Sequence, residues 1–84
     1  MIFKDMLFQD LKQFLFKLGF KLIPTSGNHL IFKHSASQAL VILPLYKDKS
    51  YVERIHLVTV RRILIEYDLI DKSEIDFIFT KVSA

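Results

Sequence analysis

The stretch Ser26-Gly27-Asn28-His29-Leu30-Ile31-Phe32-Lys33 decides the expected fold, because a polar turn runs directly into a segment that alternates between apolar and polar residues. Glycine adopts a positive φ at little steric cost, and asparagine tolerates it better than most residues. The pattern predicts a tight turn at Gly27-Asn28 and a strand that begins at His29. Such a turn would hold the imidazole of His29 at a fixed place near the end of a sheet.

Three strands are predicted around this turn, at residues 20–24, 29–34 and 38–44. The first ends at Pro24, since proline cannot donate to a strand ladder. The third is apolar on both faces, which is typical of a strand that is covered on both sides or faces a partner. Short connections between the strands favour an antiparallel meander. In the central strand, alternation places His29 and Lys33 on the same face.

Helices are predicted on either side of the strands. Residues 3–18 repeat apolar side chains with helical spacing, and Gly19 follows where a C-cap glycine is expected. Phe16 falls in the polar sector of this helix, where it could contact another protein. The predicted buried face of this helix is formed by Phe3, Leu7, Leu11, Phe14, Leu15 and Leu18.

The second half of the chain is predicted to contain a long loop, residues 45–56, and a helix over residues 57–68. Its apolar face would contain Leu57, Val60, Ile63, Leu64 and Tyr67. Ser73 is the expected N-cap of a short closing helix. The order helix, three strands, helix predicts one α+β domain over residues 1–84, with helices on one face of the sheet and the other face open.

Composition narrows the class of protein. The 84 residues contain no cysteine, which excludes disulfides and thiolate chemistry, and a reducing, cytoplasmic location is expected. Charged residues interrupt the apolar amino terminus, and the longest uncharged run is too short to cross a membrane. Residues 21–62 carry seven Lys or Arg against two acidic residues, a balance of +5, whereas the flanking segments have a balance of −2. A basic middle is compatible with a surface that binds a polyanion, and also with an ordinary solvated surface.

Four segments resemble the HicA-type toxins, also called the YcfA-like family, over about residues 5–70. They are Leu18-Gly19-Phe20, Gly27-Asn28-His29, Val41-Ile42-Leu43-Pro44 and Val60-Arg61-Arg62-Ile63-Leu64. The resemblance implies a double-stranded-RNA-binding-domain-like fold, α-β-β-β-α, and an mRNA interferase of a type II toxin–antitoxin system. It also implies a cognate HicB-like antitoxin as partner, no metal or other cofactor, and His29 as the catalytic residue.

The chain departs from the family pattern at two places. Asn28 stands where the family usually has Ser, and Leu45-Tyr46 follow Pro44 where many members have His and Gly. The second departure lengthens the loop before the second helix, so the resemblance does not indicate which residues of that region contact the substrate.

RNA cleavage requires a base that takes the proton of a ribose 2′-hydroxyl and a cation that stabilises the charge on phosphate. Neutral imidazole suits the first task, because its ordinary pKa of about 6.5 lies near working pH. Lys33 lies on the same strand face as His29 and is the first candidate for the second task. The candidate RNA-binding residues are Gly27, Asn28, Lys33, Lys47, Arg61 and Arg62.

Other interpretations remain open. The same fold could be a catalytically inactive RNA- or protein-binding module, or a structural homodimer held by residues 38–44 and Phe16. A metal site is not expected, because His29 and His34 face opposite sides of one strand. His34 is expected at the surface, and His56 at the end of the loop, packed on the sheet. Four carboxylates near the carboxyl end are expected to be solvated or to cap helices: Asp68, Asp71, Glu74 and Asp76.

Overall fold

Three antiparallel strands form a sheet in the order β1-β2-β3. The computed structural model describes residues 3–25 and 27–80. The strands are β1 (Phe20–Ile23), β2 (His29–His34) and β3 (Ala39–Pro44). Ile31 lies opposite Ile23 on one side and opposite Ile42 on the other. The predicted meander is confirmed, except that Gln38 belongs to the turn before β3, where it adopts a φ of 66°.

Three helices complete the α+β fold: α1 (Phe8–Lys17), α2 (Arg54–Glu66) and α3 (Lys72–Phe79). Helix α1 packs against β1, α2 packs against β3, and α3 packs against α2. The order α1-β1-β2-β3-α2 is the one expected from the sequence, and α3 is the short closing helix that was also predicted. The core lies between the helices and the sheet and contains Phe8, Leu11, Leu15, Phe20, Phe32, Ala39, Val41, Leu43, Val52, Leu57, Val60, Leu64, Ile75 and Phe79. Within the described ranges, every helix falls short of the length and apolarity that a bilayer crossing requires.

The first helix begins at Phe8, so the prediction of a helix from residue 3 was wrong. The preceding residues are extended because their backbone groups find partners far along the chain. Phe3 forms a β-bridge with Thr80, and Leu7 forms one with Tyr51. The helical pattern also left Phe8 off the core face, although its ring is buried and lies 6.4 Å from the ring of Phe32.

The end of α1 is fixed by Gly19 and His34. Gly19 follows the helix with a φ of +101°, which confirms its predicted role as the glycine that ends the helix. His34 was predicted at the surface, but it is half-buried. Its Nδ1 accepts a hydrogen bond from the Ser37 N–H at 3.2 Å, so its Nε2–H donates to the carbonyl of Leu18 at 3.1 Å. The ring therefore ties the end of α1 to the β2–β3 turn.

The boundaries of the later helices also differ from the prediction. Helix α2 begins at Arg54, three residues before the predicted start, and it ends at Glu66. Tyr67 lies beyond that end and is exposed, although it was expected on the buried face. Helix α3 begins at Lys72 with Asp71 as its N-cap, so the predicted cap at Ser73 was wrong. The short gap between α2 and α3 leaves Asp71, not Ser73, at the cap position.

Replacing Gly19 with alanine should destabilise the fold by about 1–3 kcal/mol, because a Cβ is strained at this φ. It would also lie 3.3 Å from Nε2 of His34. Urea denaturation followed by circular dichroism measures the change. Gly27→Ala is the matched control, since a Cβ there meets only Nδ1 of His29, at 3.9 Å. Equal unfolding midpoints for the two variants would contradict the assignment.

Candidate functional site

His29 is the first residue of β2 and is exposed at the end of the sheet. Its carbonyl accepts a hydrogen bond from Oγ1 of Thr25 at 2.9 Å, and the residue lies opposite Pro44 of β3. Among the described residues, none forms a hydrogen bond to the imidazole nitrogens. The backbone of His29 is therefore held in place while its ring is open to a molecule from outside.

The turn before His29 differs in detail from the prediction. Gly27 and Asn28 are both exposed, and Ser26 lies outside the described residues. Asn28 does not adopt a positive φ, which the described non-glycine residues show only at Gln38 and Asp68. Strand pairing and the hydroxyl of Thr25 therefore position His29, without the left-handed backbone that the sequence suggested at Asn28.

A cleft of about 240 Å³ opens beside His29 at this end of the sheet. Its walls are mainly aliphatic, and the imidazole and the hydroxyl of Thr25 are its polar side chains. It is smaller than the usual pocket for a drug-sized ligand, which begins at about 300 Å³. A single planar ring system is a suitable size for it. The lining residues are Leu22, Ile23, Pro24, Thr25, Gly27, His29, Leu30 and Leu45.

The face of the sheet away from the helices, which we call the outer face, carries two neighbouring lysines. Lys21 of β1 lies directly opposite Lys33 of β2. The sequence interpretation missed Lys21, although hairpin pairing of residues 20–24 with 29–34 would have placed it there. Like charges at directly opposite positions repel each other, and an anion between them would relieve that repulsion. This pair is therefore the best-placed site on the sheet for a phosphate.

Lys33 is well separated from His29 along the strand. The two residues are four positions apart on one strand, which corresponds to about 13 Å between their Cα atoms. Both side chains lie on the outer face, as predicted from the alternation. Lys33 is therefore a separate cationic position on the outer face, at a distance from the imidazole along β2.

The remaining basic candidates do not gather around His29. Arg61 binds Asp76 with 2.8 Å between Nε and Oδ1, and its side chain is only 17% exposed. Arg62 is exposed and lies 3.9 Å from Glu66 on the same helix. Both arginines belong to α2, on the helical side of the sheet. Lys47 is exposed in the loop after β3, at the same end of the sheet as His29.

A tyrosine–histidine pair that the sequence interpretation missed fixes the start of α2. The hydroxyl of Tyr46 accepts a hydrogen bond from the Glu53 N–H at 3.0 Å and forms another with Nδ1 of His56, at 2.5 Å. The Tyr46 ring stacks on Phe8 with 5.5 Å between centroids. His56 thus lies in the first turn of α2 and contacts Tyr46, whereas it was predicted at a loop end. The departure from the family pattern at Leu45-Tyr46 was the available signal.

The three histidines lie in separate environments. His29 is on the outer face, His34 is bonded to Leu18 and the turn, and His56 is bonded to Tyr46. Residues 3–25 and 27–80 contain no group of three His, Asp or Glu side chains that could hold a metal ion. Of the three, only His29 has a ring without an intramolecular hydrogen bond in the described part of the chain.

Comparison with protein-family models, with curated proteins and with solved structures found no match for this chain. The arguments on function therefore depend on the fold, the exposed imidazole and the charges around it.

Replacing Tyr46 with phenylalanine should destabilise the protein by about 1–3 kcal/mol, because the Glu53 N–H and Nδ1 of His56 both lose their partner. Chemical denaturation at neutral pH measures the change. Tyr67→Phe is the matched control, because the Tyr67 hydroxyl has no hydrogen-bond partner among the described residues, and a change within about 0.5 kcal/mol is expected. If Tyr46→Phe were as stable as the wild type, the pair would not anchor α2.

Proposed function

We propose that this chain is a small cytoplasmic endoribonuclease of the HicA-like toxin type, which cleaves mRNA through His29 and is inhibited by a cognate HicB-like antitoxin. The exposed His29 ring supports this proposal most directly, because no residue of 3–25 or 27–80 forms a hydrogen bond to it and it borders a cleft. The α1-β1-β2-β3-α2 order agrees with the proposal. An antitoxin that covers the outer face and His29 would block access of RNA to both.

In the proposed reaction, neutral His29 takes the proton from a ribose 2′-hydroxyl. The 2′-oxygen then attacks the adjacent phosphorus, and the bond from phosphorus to the 5′-oxygen of the next nucleotide breaks. That oxygen receives a proton from the imidazolium or from water, so the products are a 2′,3′-cyclic phosphate and a 5′-hydroxyl. A single general base contributes about 10²- to 10⁴-fold to such a reaction. The reaction requires no metal or other cofactor.

The substrate class follows from the size of the cleft and the position of the lysines. A base that enters the cleft beside His29 must be unstacked, which single-stranded RNA allows more easily than a duplex. The backbone would then run along the outer face towards Lys21 and Lys33. Gly27, Asn28 and Lys47 lie at the His29 end and could contact the strand there. Arg61 and Arg62 are left out of the proposed surface, because they lie on the helical side.

A second candidate function is RNA binding without cleavage. The observation that favours it is the position of His29 and Lys33 at opposite ends of β2, about 13 Å apart between Cα atoms, which separates the outer-face lysines from the imidazole. Binding through the cleft and the lysine pair would not require His29 to act as a base. In the first function, removal of the imidazole changes the rate of RNA cleavage. In the second, it changes only the affinity for RNA.

His29→Ala should lower the rate of RNA cleavage by about 10²- to 10⁴-fold, because it removes the proposed base. The rate is measured on single-stranded RNA with purified protein, with and without EDTA, and EDTA should have no effect. The product ends are identified by mass spectrometry. His34→Gln is the control histidine variant, and its cleavage rate should stay close to that of the wild type when it is folded.

The same experiment separates the two functions. Equal cleavage by the wild type and His29→Ala would rule out His29 as the catalyst. If neither protein cleaves RNA but both bind it, the chain is an RNA-binding module.

Lys21→Gln combined with Lys33→Gln should weaken binding to single-stranded RNA and should reduce the slope of log K against log salt by about 1.4, or about 0.7 per lost phosphate contact. Fluorescence anisotropy over a range of salt concentrations measures both quantities. Lys17→Gln combined with Lys72→Gln removes the same charge from two exposed helical positions. If this control weakened binding equally, only net charge would be involved, and the outer face would not be the binding surface.

A further inference from the structure

The two edges of the sheet differ in how they are protected from pairing with another strand. The β1 edge is four residues long, carries Lys21 and is followed by Pro24. The β3 edge is six residues long and consists of Ala39-Leu40-Val41-Ile42-Leu43-Pro44. Edge strands of monomeric proteins are usually short or carry charges, bulges or prolines that discourage pairing. Only β1 has such protection along its length, since the proline of β3 is its last residue.

Strand β3 presents apolar side chains on both sides of this unprotected edge. Ala39, Val41 and Leu43 are buried against the helices, whereas Leu40 is 44% exposed and Ile42 is 54% exposed on the outer face. Within the described residues, β3 pairs with β2 alone. The sequence contains no charged residue from 35 to 46. The free edge therefore has unpaired backbone groups beside an apolar, uncharged surface.

We propose that a second copy of this chain binds at the β3 edge by antiparallel pairing of the two β3 strands around a twofold axis. The two sheets then form one continuous sheet of six strands. In the register that we assign, Val41 of each copy lies opposite Val41 of the other, and Leu40 lies opposite Ile42. This register pairs residues 39–43 of both copies and leaves Pro44, which has no N–H, at the end.

The register also places each buried residue of one copy opposite a buried residue of the other, and each exposed residue opposite an exposed one. A shift by one residue would place Leu40 of one copy opposite a buried position of the other, because successive side chains point to opposite faces. In the assigned register, Leu40 and Ile42 of both copies form one apolar cluster on the outer face. The pairing therefore covers the apolar side chains that the monomer leaves exposed at this edge.

The charges favour a second copy over a charged partner. An edge without charge gives no electrostatic attraction to RNA or to an acidic peptide, whereas two copies of it are complementary to each other. A twofold interface uses the same patch on both subunits, and an antiparallel pair of identical strands satisfies this condition. The nearest outer-face cations, the two Lys33 side chains, would be three strand spacings or about 14 Å apart. This separation exceeds the Debye length of about 8 Å at physiological salt.

The proposed interface is small, so the dimer should form weakly, with a Kd in the micromolar to millimolar range that low-area complexes show. Sedimentation velocity of the full chain, at concentrations from about 1 µM to about 1 mM, measures the Kd of the dimer. Leu40→Glu and Ile42→Glu should each weaken association at least about tenfold, because each places a carboxylate in the interface. In the monomer, the carboxylate that Leu40→Glu introduces lies opposite Lys33. This pairing of opposite charges favours the folded chain.

Leu22→Glu is the control at the other edge, because Leu22 has the same 44% exposure as Leu40 but lies on β1, opposite Phe32 and away from the outer face. It should associate as the wild type does. A wild type that stays monomeric up to about 1 mM would overturn the proposal. Equal weakening by Leu22→Glu and Leu40→Glu would also overturn it. Circular dichroism identifies a variant that does not fold, and the other β3 variant then decides the result.

Disulfide trapping tests the register, since the natural chain contains no cysteine. When equal amounts of Leu40→Cys and Ile42→Cys chains are mixed and oxidised, the mixed disulfide should exceed each symmetrical one by more than the twofold excess of random pairing, because the register places these positions opposite each other. A predominance of symmetrical Leu40→Cys or Ile42→Cys dimers would exclude it. The result does not depend on nuclease activity, so this proposal and the proposed function can fail separately.

Discussion

The burial of Phe32 in the middle of β2 is the constraint on which the rest of the structure depends. Its side chain is fully buried in the core between the sheet and the helices. The centroid of its ring lies 6.4 Å from that of Phe8 and 6.0 Å from that of Phe16. Because strand side chains alternate between faces, this one packed ring fixes the direction of every other side chain in β2. His29 and Lys33 lie at odd distances along the strand from Phe32, so both must point to the outer face. A slip of one residue would bury both polar groups, and burying a charge without a partner is very costly.

The strands could be predicted from the sequence because each is short and its pattern is local. Pro24 marks the end of β1, and the alternation after Asn28 marks β2, so their observed limits agree with the prediction to within a residue. The helix starts could not be predicted in this way, because contacts distant in sequence determine them. Residues 3–7 are held extended by Tyr51 and Thr80, and the N–H of Glu53 is satisfied by Tyr46 seven residues before it. Neither contact leaves a periodic signal in the sequence.

The candidate site was predictable to a similar extent. The exposure of His29 follows from a turn that precedes an alternating strand, and the structure agrees with it. The roles of Arg61 and Lys33 could not be judged from charge alone. Arg61 is bound by Asp76, a residue that becomes its neighbour only when α3 packs on α2. Lys33 shares a face with His29, but sharing a face does not give proximity when three residues of extended chain lie between them.

The outer face and the β3 edge of the sheet differ in charge, and each suits one of the two proposed partners. On the helical side, Lys12 binds Asp48 at 2.7 Å and Arg61 binds Asp76 at 2.8 Å, so these cations are partly neutralised. Lys21 and Lys33 have no carboxylate partner among the described residues. The positive charge of the sheet itself therefore lies on its outer face, on β1 and β2. The β3 edge lies beyond this charge and offers only backbone groups and apolar side chains, which suit an uncharged strand. The two proposed partners would thus be selected by different physical means, and a strand paired at β3 would leave the lysine pair and His29 exposed.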